Sequence, residues 1–297
     1  MPDDLINVSY IVSAILFILG IKMLGSASTA VRGNRISSLG MLVAVIVTLT
    51  KGGLDYQYII IGLIIGSLIG LVAAKRVQMT GMPELVALFN GFGGLASLLV
   101  GWSEFEKGGE GNWFLYSVIC IAILIGGITF TGSLVAYLKL SGKVGGNAVV
   151  FPFQKFVNLL VMLSAVLIGL LLIIPNNFSE NHDLLIWTLI FLALLVGVLG
   201  VIPIGGGDMP VVIALLNSFS GLGAAAAGFV INNTVLVVAG CLVGASGLIL
   251  SIIMCKAMNR SLANVLFGGF GTSSTASGAQ VEGEMKALSA EDSYYVL

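Results

Sequence analysis

Stretches of roughly twenty apolar residues, the length an α-helix needs to cross the hydrocarbon core of a bilayer, recur nine times in this chain. They fall near residues 5–24, 36–50, 56–74, 83–102, 113–138, 156–174, 184–203, 209–231 and 233–255, with short polar breaks between them. The second is the shortest. Of 297 residues, 58% are hydrophobic and 9% charged, against about 25% charged in soluble domains, and mean hydropathy is +1.09. That makeup excludes a soluble core. The expected fold class is all-α, a polytopic transmembrane bundle of about nine helices. The first run is not a signal peptide in this reading: Asp3 and Asp4 precede it and Lys22 closes it, the reverse of a basic leader.

Charge placement gives the topology. If nine helices alternate, Lys22, Arg32, Arg35, Lys75, Arg76, Lys139, Lys143, Lys155, Lys256 and Arg260 share one face, and Lys51 and Lys107 hold the other. The positive-inside rule then places the N-terminus outside and the C-terminus in the cytoplasm. The basic residues are explained by topology, so the net charge of −1 implies no nucleic-acid partner. Cys120, Cys241 and Cys255 lie in or at the end of apolar runs without metal-type spacing, which argues against a disulfide framework or metal site.

A two-helix unit is used twice. MPELVALFNGFGGLASLLVG from Met82 aligns without gaps to MPVVIALLNSFSGLGAAAAG from Met209, and Ser133 and Ser246 each lie ten residues before a lysine, Lys143 or Lys256. An even number of crossings separates the copies, so the repeat is expected to be parallel. Asn90 and Asn217 each follow their proline by seven residues, about 10 Å along a helix, and the serines lie about 15 Å from their lysines. Four uncharged polar side chains therefore share the inner half of the membrane. Gly91, Gly93 and Gly94, with Gly221, Gly223 and Gly228, suit close backbone approach and central placement.

Two readings of these residues stand side by side. Asn90 and Asn217 are either interhelical hydrogen-bond glue, worth about 0.6 kcal/mol each, or a polar lining for water or an ion. Ser133 and Ser246 can satisfy themselves on the preceding turn. Asp208 ends PIGGGDMP, where Asp before Met-Pro reads as a helix N-cap with room for a second role; Glu84 occupies the corresponding first turn of the other copy. His182, the one histidine, falls in the PNNFSENHD break and reads as a surface residue. No ionisable residue lies mid-helix, where proton relays usually place one. No Walker loop, GxGxxG after a strand, or catalytic dyad is present.

MPELVALFNGFGGLASLLVG, FTGSLVAYLKLSGK, GGGDMPVVIALLNSFSGLGAAAAGF and LSIIMCKAMNRSLANVLFGGFGT, in that order, resemble the membrane domain of the beta subunit of proton-translocating NAD(P) transhydrogenase. The likeness spans nearly the whole chain. It implies a dimeric complex in a bacterial inner membrane, with protons crossing this domain while hydride passes between NAD(H) and NADP(H) on cytoplasmic domains. It also implies an alpha subunit carrying the NAD(H) domain and further transmembrane helices. It implies that Asn217, Ser133 and Asp208 match positions tied to proton conduction and its coupling to the NADP(H) domain; by their place in the repeat, Asn90 and Ser246 are expected beside Asn217 and Ser133 on the proton pathway, and Glu84 and Arg260 are expected with Asp208 at the coupling end.

Residues 1–259 are expected to be the proton-conducting domain and 260–297 a linker, with Arg260 to Thr272 as its coupling element. Two departures from the family matter. Asn90 stands where relatives carry a membrane histidine, and an amide cannot titrate. The NADP(H)-binding domain would begin near Val281, so this chain is expected to bind neither cofactor itself. A secondary transporter or channel for a small solute is the competing expectation, since repeats and paired asparagines also suit one.

Overall fold

The computed structural model describes residues 3–50, 54–108, 113–173 and 182–267. Its elements are α1 (Asp3–Leu24), α2 (Ala30–Leu49), α3 (Tyr56–Arg76), α4 (Met82–Glu106), α5 (Trp113–Leu140), α6 (Gln154–Ile173), α7 (His182–Val201), α8 (Met209–Val230), α9 (Thr234–Ala257) and a short α10 (Leu262–Phe267). Among the described residues, nine helices are long and apolar enough to cross a membrane. The expected all-α class holds. The chain is an integral membrane protein, because backbone polar groups in lipid must be satisfied within each segment and these helices do so.

The second helix begins at Ala30, not near residue 36. Arg32, Asn34 and Arg35 depress hydropathy over its first two turns, but the backbone stays helical because its small residues seat on α1. A Cβ at Gly33 would meet the Gly20 carbonyl oxygen at 2.8 Å, so only glycine permits this crossing. The hairpin also buries Ile6, Tyr10, Ala44 and Val47 with Val235 of α9. Across it, Tyr10 and Thr48 share a hydrogen bond of 2.9 Å.

Helices α4 to α9 make the main body, assembled from closely packed pairs. A Cβ at Gly94 of α4 would meet the Gly126 carbonyl of α5 at 2.8 Å, and one at Gly221 of α8 would meet the Gly240 carbonyl of α9 at 2.7 Å. Backbones this close gain dispersion contacts that lipid cannot supply. Helix α8 has 72% of its apolar window buried and is the central element; α3 has 0% and packs least. Around α8 lie two core clusters. One contains Ile119, Ile123, Ile186 and Leu189. The other contains Ala87, Ala136, Met209, Val212, Leu216 and Cys255.

The latter cluster also takes in Val265 of α10. The first residues of the expected linker thus fold back onto the bundle: Ser261 Oγ accepts from the Asn264 N–H at 3.1 Å to start α10, and Val265 is 2% exposed. The remainder of that segment, 268–297, including Thr272 and Val281, lies outside the described residues.

Candidate functional site

Asn90 and Ser133 face each other between α4 and α5. The Asn90 Nδ2 donates to Ser133 Oγ at 2.9 Å, and the two residues are 9% and 1% exposed. Glycine makes the meeting possible, since Gly91 and Gly94 let α4 lie directly on the α5 backbone. Ser133 is therefore held across the interface, rather than satisfied only on its own turn.

The second asparagine is placed differently. Asn217 is half-buried on α8, and its side chain makes no hydrogen bond among the described residues. Ser246 Oγ donates to the Val243 carbonyl of its own turn at 3.0 Å. The interhelical bond of this pair comes from the neighbouring residue: Ser218 Oγ donates to the Gly244 carbonyl at 2.6 Å. The sequence pattern does not single out Ser218, although it stands at the repeat position of Gly91. Helices α4 and α8 themselves touch, where a Cβ at Gly93 would meet Ser220 Oγ at 3.0 Å. Each asparagine lies three residues, about 4.5 Å of rise, from that contact.

At the end of the bundle where α8 starts, Asp208 occupies the N-cap position but its carboxylate makes no capping hydrogen bond. The expected cap is thus replaced by an ion pair. Both carboxylate oxygens accept from Arg260 Nη1 at 2.5 Å. The cause is the turn after α9. Asn259 takes a left-handed φ of 52°, the Asn259 N–H donates to the Lys256 carbonyl at 3.0 Å, and the Arg260 N–H donates to the Cys255 carbonyl at 2.9 Å. This is the paired closure of a helix C-terminus through a left-handed residue. It points Arg260 at the start of α8, where the 19% exposed Asp208 side chain competes better for a guanidinium than for amide hydrogens. Glu84, half-buried in the first turn of α4, forms no ion pair among the described residues.

Lys139, expected in a basic loop, sits instead in the last turn of α5 at 3% exposure, and its Nζ donates to the carbonyls of Asn147 at 3.1 Å, Ile202 at 2.5 Å and Ile204 at 2.8 Å. Lys143, the lysine in register with the repeat, is exposed and lies on Tyr137. The apolar run before Lys139 conceals the difference, because hydropathy marks where a helix runs but not which face meets protein. His182 begins α7 against Phe105, ring centroids 6.5 Å apart, rather than standing in a loop. Cys120 and Cys255 are buried and Cys241 is exposed, and none of the three forms a disulfide. No group of three or more metal-ligating side chains converges among the described residues.

A bundle of apolar helices with neutral polar groups at its glycine-packed centre and an ion pair at one end defines a polytopic membrane protein. The comparisons narrow that class. The family model of the NAD(P) transhydrogenase beta subunit matches residues 6–297. Two relatives, both NAD(P) transhydrogenase subunit beta of Rhodospirillum rubrum and one of them from a named strain, are each 40% identical over 309 residues, covering 100% of this chain and 66% of the relative. The chain belongs to the NAD(P) transhydrogenase beta subunit family, and it spans about two thirds of the length of the relatives it matches.

Proposed function

We propose that this chain is the membrane part of a proton-translocating NAD(P) transhydrogenase, conducting protons while hydride passes between NAD(H) and NADP(H) on partner domains. Family membership supports the reading. The observation that carries it is the half-buried Asn217 amide, which has no hydrogen bond among the described residues although it belongs to a central membrane helix. An amide left open in hydrocarbon is costly, so water or another chain must meet it. The Asn90–Ser133 pair extends the same polar locality along α4 and α5.

Amides and hydroxyls both donate and accept, so they can order a water chain, but none of them holds a proton as charge near neutral pH. An ionisable group on a transmembrane helix of an alpha-type partner subunit would supply the titrating site, reached from Asn90 through water and the open Asn217 side chain rather than by direct contact, since Asn90 is itself held by Ser133. A complex whose helices near Asn90 and Asn217 carry no ionisable group would overturn that assignment.

The end bearing Lys139, Asp208 and Arg260 faces the cytoplasm of a bacterial inner membrane, by the bias of basic residues. The Asp208–Arg260 pair, together with Glu84 of the first turn of α4, meets the NADP(H) domain there, and residues 260–297 lead to it. Two such complexes form a dimer. The repeated units from Met82 and Met209 run parallel, which sets Asn90 and Asn217 at one depth. Both nucleotides are assigned to other domains of the complex, in line with the family's description as an NAD(P) transhydrogenase.

The test is proton uptake into proteoliposomes holding this chain with an alpha-type partner and an NADP(H) domain, with NADPH reducing an NAD analogue. Acidification that requires this chain is expected. Hydride transfer without proton movement would overturn the reading.

A further inference from the structure

Among the described residues Lys139 is the one lysine that the structure removes from solvent, and its acceptors come from two separate loops. Asn147 belongs to the connection between α5 and α6, and Ile202 and Ile204 to the connection between α7 and α8. Those connections also bind each other directly. The Gly206 N–H donates to the Gly146 carbonyl at 2.8 Å, and the Val149 N–H donates to the Ile202 carbonyl at 3.3 Å. Asp208 follows two residues after Gly206, with Gly207 between them.

A buried ammonium needs its hydrogens satisfied, and three carbonyls at 2.5–3.1 Å satisfy all three. No carboxylate takes part: the two ion pairs formed among the described residues are Lys107–Glu104 and Arg260–Asp208. The Ile202 carbonyl belongs to the residue following α7, where unsatisfied helix carbonyls concentrate negative partial charge. The ammonium therefore bonds to the backbone of both loops, and substitution within the loops leaves its acceptors in place.

On the same helix, Ser133 lies six residues before Lys139, about 9 Å of rise. Helix α5 thus carries at one point the serine bonded to Asn90 and, less than two turns on, the lysine that holds the loop leading to Asp208.

We propose that Lys139 is a positioning residue for coupling: its ammonium clamps the two connections together and so fixes the loop that presents Asp208 to Arg260 relative to the Asn90–Ser133 pair. The inference rests on the proposed coupled proton movement, but its structural half stands without it. Lys139 holds and releases no proton in this role. Removing its charge frees the loops while leaving the helices, which are held by glycine contacts and the two core clusters, as they were.

The experiment uses the chain assembled with its alpha-type partner and NADP(H) domain in lipid nanodiscs and vesicles, comparing the unaltered protein with Lys139→Met and the milder Lys139→Gln. Amide hydrogen exchange is followed by mass spectrometry in peptides covering 144–151 and 202–208, and in the middles of α5 and α8 as a measure of folding. Exchange in both loop peptides is expected to accelerate on the order of tenfold or more in Lys139→Met, and less in Lys139→Gln, with the helix middles unchanged. In vesicles, proton-coupled turnover should fall about tenfold or more relative to hydride exchange measured in the same preparation. A merely structural role would lower both together.

Unchanged loop exchange in both variants overturns the clamp. Loosened loops with an unchanged ratio of protons moved to hydride transferred overturn the coupling role. If Lys139→Met fails to assemble, Lys139→Gln decides both points by the same two measurements. Should the unaltered protein move no protons, the proposed function fails, and the exchange result alone still decides whether Lys139 holds the loops.

Discussion

The two helix pairs, α4–α5 and α8–α9, contain matching asparagines and matching serines, and the structure uses them differently. In the first pair Asn90 is sealed against Ser133. In the second, Ser218 takes over the bond between helices, Ser246 returns to its own backbone, and Asn217 has no hydrogen bond among the described residues. A duplicated sequence therefore does not yield a duplicated hydrogen-bond network. Gly94 crosses α5 at Gly126, but Gly221 crosses α9 between Gly240 and Gly244. That shift in crossing changes which side chains meet across each interface. One asparagine becomes an internal fastener and the other an open polar group.

The largest effect should come from abolishing one of these crossings. In Gly221→Leu the new Cβ would fall on the backbone of α9 at Gly240 and Gly244, with no flexible side chain to move aside. The α8–α9 pair should then fail to close and assembled protein should be lost, read as recovery of a monodisperse complex in mild detergent. A Gly93→Ala change in α4 is the counterpart: its Cβ would meet only the Ser220 hydroxyl, at 3.0 Å, which a rotation can relieve. It should assemble normally. Equal recovery of the two variants would show that the crossings do not define the pairs.

Next comes the functional contrast. Asn217→Leu should cut nucleotide-driven proton uptake by on the order of a hundredfold, the scale of losing a positioned proton-handling group, while hydride exchange between isolated nucleotide domains persists. Retained pumping would demote Asn217 to structural glue and leave the asymmetry of the two pairs without functional meaning.

A smaller effect sharpens the other half. Because Asn90 and Ser133 bond directly, the double-mutant cycle through Asn90→Leu and Ser133→Ala should show coupling of about 0.6 kcal/mol, the usual worth of a side-chain hydrogen bond between membrane helices. The same cycle through Asn217 and Ser246 should show coupling near zero. Thermal unfolding in detergent reads both, and equal coupling energies would erase the distinction.

Much of this bundle is legible in the sequence, and the illegible parts have physical reasons. Nine spans follow from apolar length, because hydrocarbon thickness sets helix length directly. The start of α2 escapes hydropathy because Arg32 and Arg35 lower it without interrupting a backbone ladder. Asn90 and Ser133 can be recognised as polar and set at one depth, but not paired. Pairing depends on crossing angle and rotation, fixed by glycine contacts between elements far apart in sequence. Asp208 resembles a cap because N-cap preferences are local, whereas the competing Arg260 arrives from 52 residues away. Lys139 resembles a loop lysine because burial of its last turn depends on two connections folding over it.

The smallest expected effect tests the repeat where its two serines differ most. Ser246→Ala removes a hydroxyl that bonds only to the Val243 carbonyl of its own helix, at 3.0 Å. That carbonyl keeps its place in the helix, so the substitution should shift stability by no more than about 0.5 kcal/mol, the range of changes that break no interelement contact, and should leave proton uptake within about twofold. Ser133→Ala, by contrast, strands the Asn90 amide in a 9% exposed site, where losing one partner costs more than losing both. Its unfolding temperature should drop visibly below that of Ser246→Ala under identical detergent conditions. If Ser246→Ala is the more damaging of the two, then Ser246 meets a polar group outside this chain, and the open side of the bundle extends from α8 onto α9.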